Sequence, residues 1–123
     1  MRWSEPFLTL PEPSRLVVYV LDRGGRTVLR YERTHPATVP SADTGGFVAP
    51  GRELGSFELD GIPMGIAVCS ELWIPETTRV LALRGAEIIL SPAGGHFTAL
   101  TKNWQVIARA RAIENLCHLA LTN

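Results

Sequence analysis

Cys69 is the residue of this chain best placed to act as a nucleophile. It closes the apolar run Gly65-Ile66-Ala67-Val68 and is followed by Ser70, Glu71, Leu72, Trp73 and, after Ile74, Pro75-Glu76. An apolar run cut short by polar residues and a proline predicts a buried strand from Ile62 to Val68. A helix opened by Pro75 then runs to about Arg84. Cys69 therefore stands at a strand-to-helix corner, where backbone N–H groups are expected to be free of a ladder. Such a corner favours a thiolate and offers donors to a developing oxyanion. The chemistry implied is nucleophilic attack by the thiolate, with N–H groups past it, around Ser70 and Glu71, as donors for an oxyanion. Ser70, Glu71 and Trp73 are the expected substrate-binding residues. A competing reading packs Cys69 as a small hydrophobe and Trp73 as a core aromatic.

Other reactive side chains carry weaker patterns. His35, His96 and His118 lack metal-ligand spacing, as do Cys69 and Cys117, so no metal and no cofactor is expected. A Cys–His thiol hydrolase built from one of these histidines would be a different class of enzyme, but no local pattern around Cys69 supports it. Glu76 falls in the first turn of its helix, where a carboxylate favours the dipole. Arg109, Arg111 and Glu114 read as structural ion pairs on a helix. Gly94-Gly95 after a strand is too short a signal for an anion loop.

The elements that must position Cys69 follow from the hydrophobic pattern. Residues 1–14, rich in proline and without periodicity, read as an irregular N-terminal arm. Arg15 to Leu21 and Thr27 to Tyr31 are strands joined by the turn Asp22-Arg23-Gly24-Gly25. Thr34 to Gly55 is a long loop, and loops of such length in a compact domain are usually functional or mobile. Ser56 to Leu59 and Ile62 to Val68 form a second hairpin around Asp60-Gly61. After the first helix and Gly85, Ala86 to Leu90 is another strand, which Ser91 to Gly95 leaves. Leu100, Trp104, Ile107 and Arg111 then recur at helical spacing. Cys117 to Thr122 closes the chain as a strand.

Composition excludes several classes. Apolar residues make up 46% and charged residues 20% of the 123, an ordinary globular balance. The formal net charge of zero removes any electrostatic case for nucleic acid or an anionic membrane surface. No apolar run approaches the roughly 20 residues that span a bilayer, and the first residues lack a signal-peptide core, so the cytoplasm is the expected location.

The run from Cys69 through PETTRVLALRGAEIILSPA to the helix ending Arg109-Ala110-Arg111-Ala112-Ile113-Glu114-Asn115 resembles the nitrilase, or carbon–nitrogen hydrolase, superfamily. Tyr31-Glu32-Arg33-Thr34-His35 is similar to that family's Tyr-x-Lys-x-His segment, and Pro50-Gly51 to its Pro-Gly before the next strand. The likeness extends from about Leu16 to Asn123, in the family's order and spacing. It implies an α+β fold, part of a four-layer α-β-β-α sandwich, with residues 15–123 forming a partial domain. It also implies hydrolysis of a non-peptide carbon–nitrogen bond in a small amide, nitrile or carbamoyl compound.

The family's catalytic set is a Glu base, a Lys and the Cys. Here Cys69 matches the nucleophile, but Arg33 stands at the Lys position. The Glu has no counterpart, because Glu12 lies too close to Arg33; a second Glu before the Pro-Gly is also unmatched, with Asp43 and Thr44 nearest. A guanidinium supplies charge and donors but cannot give up a proton. The alternative reading of Arg33 is a surface or loop arginine paired with Glu32 or Asp43. The expectation is therefore a hydrolase impaired as this fragment, or else a non-catalytic nitrilase-like binding or assembly module. A partial sandwich leaves open edges and uncovered apolar faces, so a homo-oligomer is expected.

Overall fold

Two β-hairpins and a βαβαβ-like run account for the secondary structure. The computed structural model describes residues 14–36, 48–94 and 101–122. Val17–Leu21 (β1) and Thr27–Glu32 (β2) pair antiparallel across a turn with Gly25 at φ 79°. The turn is held by Asp22, whose carboxylate accepts from the Gly24 and Arg26 N–H groups. Gly55–Leu59 (β3) and Ile62–Ile66 (β4) form the second hairpin. Asp60 and Gly61 at its tip both have positive φ, 52° and 78°, as a tight two-residue hairpin turn demands.

β4 then pairs parallel with Ile88–Pro92 (β5), and β5 with His118–Thr122 (β6), giving a four-stranded sheet in the order β3-β4-β5-β6. Parallel neighbours need crossovers, which two helices supply. Pro75–Leu83 (α1) starts on the proline expected at its first position and ends before Gly85 at φ 97°. Thr101–Asn115 (α2) leads into β6.

The large sheet is covered on both faces. On one side Leu81 of α1 meets Ala67, Ala86 and Ile89, all buried. Gly65 admits this packing, since a Cβ there would lie 3.0 to 3.1 Å from three Leu81 side-chain carbons. On the other side Tyr31, Ile66 and Val68 form a second core with Val18, Val20, Leu29 and Leu90, joining the two sheets face to face. Fully burying one such aliphatic side chain is worth about 1.5–3 kcal/mol.

Three layers of the expected α-β-β-α sandwich are thus in place: helices, the four-stranded sheet and the β1–β2 hairpin. No described element covers the outer face of β1, where Tyr19 and Leu21 are more than half exposed. The strand expected to continue through Val68 instead ends at Ile66; Ala67 still donates to the Leu90 carbonyl at 2.9 Å. Of the expected N-terminal arm only Ser14 is described, in a single bridge to Val48. The middle of the long loop, together with His96 and Leu100, lies outside the described residues.

Candidate active site

The chain turns at Cys69 through a conformation that few side chains adopt. Val68 is extended, Cys69 has φ 53°, and Cys69–Trp73 forms one 3-10 turn leading to α1. A left-handed non-glycine residue costs about 1–2 kcal/mol and persists only where its surroundings enforce it. Here the enforcing group is Glu71, whose Oε2 accepts the Val68 N–H at 2.7 Å.

Glu71 is completely buried. Its Oε1 accepts from the Tyr31 hydroxyl, the Thr34 N–H and the Thr34 hydroxyl, each at 2.8 Å, and from the His35 N–H at 2.9 Å. Both oxygens are therefore bound to the chain itself, and the side chain turns inward instead of lining an open pocket. The donors are neutral hydroxyls and backbone amides, while the His35 ring stands farther off, with Nδ1 at 3.9 Å. Burial pushes the Tyr31 phenol up to about 12, and the adjacent carboxylate contributes to the rise.

The segment Tyr31–His35 that supplies these donors carries Arg33 at the end of β2. Arg33 is 5% exposed, so the surface reading does not hold. Glu32, its proposed surface partner, pairs instead with Arg15 and Arg30, at 2.9 and 2.6 Å. Arg33 Nη2 donates to the Ser70 hydroxyl at 2.5 Å, placing the guanidinium on the residue next to Cys69. Among the described residues its buried Nε has no hydrogen-bond partner, and no carboxylate forms an ion pair with it. The backbone is fixed on both sides: Arg33 N–H donates to Leu16 O at 2.9 Å, and Gly51 N–H to Arg33 O at 2.8 Å. The Tyr31–His35 and Pro50-Gly51 motifs thus meet at Arg33.

Two details differ from the sequence reading. The Glu71 N–H, expected to face an oxyanion, donates to the Val68 carbonyl at 3.1 Å as part of the 3-10 turn. The Ser70 N–H has no acceptor among the described residues and stays available. Trp73 lies beyond the corner, edge-on to buried Trp104 with ring centroids 5.2 Å apart, and is 37% exposed. Arg111 of α2 anchors that end, donating to the Leu72 carbonyl at 3.0 Å and pairing with Glu114 at 2.9 Å. The structure thus brings Cys69, Ser70, Glu71 and Arg33 together and leaves Trp73 at the margin. Tyr31, Thr34 and Gly51 complete the arrangement; sequence reasoning gave them no role, although all three fall in or beside the motifs it singled out.

Cys117, at the end of α2, is a contrasting thiol. Burial raises its pKa above the usual range, with no cation to offset it among the causes of the shift. Among the described residues no three His, Cys, Asp or Glu side chains converge as metal ligands would. No described helix is long and apolar enough to cross a membrane.

A buried cation, a cysteine at a strained corner and a carboxylate joining their segments occur in the order of the motifs that suggested a nitrilase-like site. The carbon–nitrogen hydrolase family matches residues 12–123, and the chain belongs to that family, within the nitrilase superfamily. It is 36% identical over 110 residues to "Hydrolase in pqqF 5'region" of Pseudomonas protegens, covering 86% of this chain and 36% of that protein. It is 30% identical over 106 residues to the 2-oxoglutaramate amidase of Bacillus subtilis, covering 86% and 40%. In fold it matches the C. elegans NitFhit protein with a TM-score of 0.74 at 22% identity, over 86% of this chain and 27% of that one. The chain spans about two fifths or less of the length of these relatives.

Proposed function

We propose that this chain carries the nucleophile side of a nitrilase-superfamily active site, with Cys69 attacking the carbon of a small amide, nitrile or carbamoyl compound. The supporting observation is the hydrogen bond from buried Arg33 to Ser70, which sets a cation beside the cysteine corner. The guanidinium there is a fixed donor for negative charge that develops at the corner. In the reaction the Cys69 sulfur bonds to the electrophilic carbon; for an amide the C–N bond then breaks and the nitrogen takes a proton from water, leaving as ammonia or an amine. The Ser70 N–H and the Arg33 fork are the donors for the oxyanion. Trp73, half-exposed beyond the turn, borders the substrate.

Water must then hydrolyse the acyl-enzyme, and this step needs a base. With Arg33 at the Lys position and no matching Glu, the chain is expected to acylate slowly and to turn over little. Iodoacetamide labelling with peptide mapping tests the nucleophile. Cys69 labels faster than Cys117 near neutral pH; equal rates in the folded protein, or faster labelling of Cys117, remove the assignment. Ammonia release from a panel of amides, nitriles and carbamoyl compounds, with Cys69→Ala as control, measures turnover. The alternative, a non-catalytic nitrilase-like module, is favoured by the arginine at the Lys position and predicts no acyl adduct on Cys69.

We also propose that the chain self-associates. Leu116, Ile113 and Val106 on and after α2 are 94%, 73% and 66% exposed, an apolar region in addition to the outer face of β1, which no described element covers.

A further inference from the structure

Arg33 and Cys69 lie 36 residues apart in sequence and follow strands of different sheets, so something must hold their segments in register. A single arginine–serine hydrogen bond between side chains does not by itself set one segment against the other. Tyr31 packs on Ile66 and Val68, and the remaining described hydrogen bonds between the two segments converge on one group. Tyr31, Thr34 and His35, on both sides of Arg33, donate four hydrogen bonds to Glu71 Oε1. Val68, immediately before Cys69, donates to Oε2. One buried carboxylate thus spans the two segments, and hydrogen bonds to a charged acceptor are about twice as strong as neutral ones.

The choice of donors has a consequence for charge. A carboxylate at this junction is the obvious partner for a buried guanidinium, and such a pair would consume the cation. Glu71 is satisfied by hydroxyls and amides instead, while Arg33 Nε remains unpartnered. The arrangement fixes the position of Arg33, and no described carboxylate forms an ion pair with it.

We propose that Glu71 is the positioning residue of this site, a carboxylate that clamps the Arg33 segment to the Cys69 corner and leaves the guanidinium charge for the thiolate and oxyanion. The proposal rests on the reading of Cys69 as nucleophile and Arg33 as its cation.

Its sign separates it from simpler roles. Glu71 is itself an anion close to Cys69, so losing its charge with the geometry kept would make thiolate formation easier and alkylation faster. Losing the clamp moves the cation away and makes alkylation slower. In Glu71→Gln the amide nitrogen is a donor facing donors, so the clamp opens on at least one side.

The experiment follows iodoacetamide alkylation of Cys69 against pH in the full chain, with Cys117 as internal reference. Circular dichroism confirms the fold of every variant. Glu71→Gln is expected to slow Cys69 about tenfold near neutral pH and to move its profile to higher pH. Tyr31→Phe, which removes one donor and no charge, moves the profile the same way by a smaller factor, and decides the matter if Glu71→Gln does not fold. Once Arg33→Met has removed the cation, Tyr31→Phe should have no further effect. His35, the other titrating group beside Glu71, is controlled by His35→Gln, which retains its backbone N–H.

Faster alkylation in Glu71→Gln, or an unchanged profile in Tyr31→Phe, overturns the positioning role. If Arg33→Met leaves Cys69 unchanged, the reading of Arg33 as the supporting cation fails instead, and the two failures are distinguishable.

Discussion

Gly51→Ala should disturb Arg33 without altering any side chain of the site. Gly51 donates its N–H to the Arg33 carbonyl at 2.8 Å. A Cβ on Gly51 would lie 2.2 Å from the Glu32 carbonyl oxygen and 2.8 Å from both Glu32 C and Glu32 Cβ. A comfortable carbon–oxygen contact is about 3.3 Å or longer, so the chains must separate by about 1 Å. The obstacle is backbone in the β2 strand, which cannot swing aside as a flexible side chain would. Overpacking of this kind costs about 1–3 kcal/mol, and loss of the Gly51–Arg33 hydrogen bond adds about 1 kcal/mol. The expected total is about 2–4 kcal/mol, read from the urea midpoint, with Gly94→Ala as reference because nothing lies within 4 Å of a Cβ there. Cys69 alkylation in the folded variant should slow while that of Cys117 stays the same. If Gly51→Ala matches Gly94→Ala in both stability and Cys69 reactivity, the close approach does not hold Arg33 and the reasoning fails.

Other consequences are independent of Gly51. The Tyr31 phenol titrates at about 12 in the fold against about 10 in the unfolded chain. Its contribution is therefore complete below pH of about 10 and lost as pH rises through about 12; melting temperatures over that range should fall less steeply in Tyr31→Phe. Leu116 has φ 52° at the end of α2, so Leu116→Gly should stabilise the chain by about 0.5 kcal/mol in urea unfolding, strain relief outweighing the added freedom of glycine. Light scattering over a dilution series should show an oligomer at micromolar concentration, and a well-folded monomer there contradicts the self-association proposed above.

Local chemistry made most of the elements legible. Asp60-Gly61, Pro75 and Gly85 each impose a backbone conformation through their own side chain or lack of one, so turn and helix ends fell where those residues stand. The strand end at Ile66 was misplaced because Ala67 and Val68 are as apolar as the residues before them. What stops the ladder there is the capture of the Val68 N–H by Glu71, a side-chain contact that hydropathy does not encode.

The same contact explains what was hidden in the site. A carboxylate two residues after a nucleophile reads as chemistry or as a pocket wall, because an isolated acidic residue almost never tolerates full burial. Burial becomes tolerable only when enough donors converge, and four of the five come from residues 31 to 35, far away in sequence. Arg33 poses the converse problem. Glu32 beside it looks like its partner, yet successive residues of a strand point to opposite faces, so Glu32 meets Arg15 and Arg30 outside while Arg33 turns in. Alternation at the end of β2 is what turns Arg33 away from Glu32, its neighbour in sequence. A one-residue shift of register there would return Arg33 to the surface and leave Glu71 without its donors.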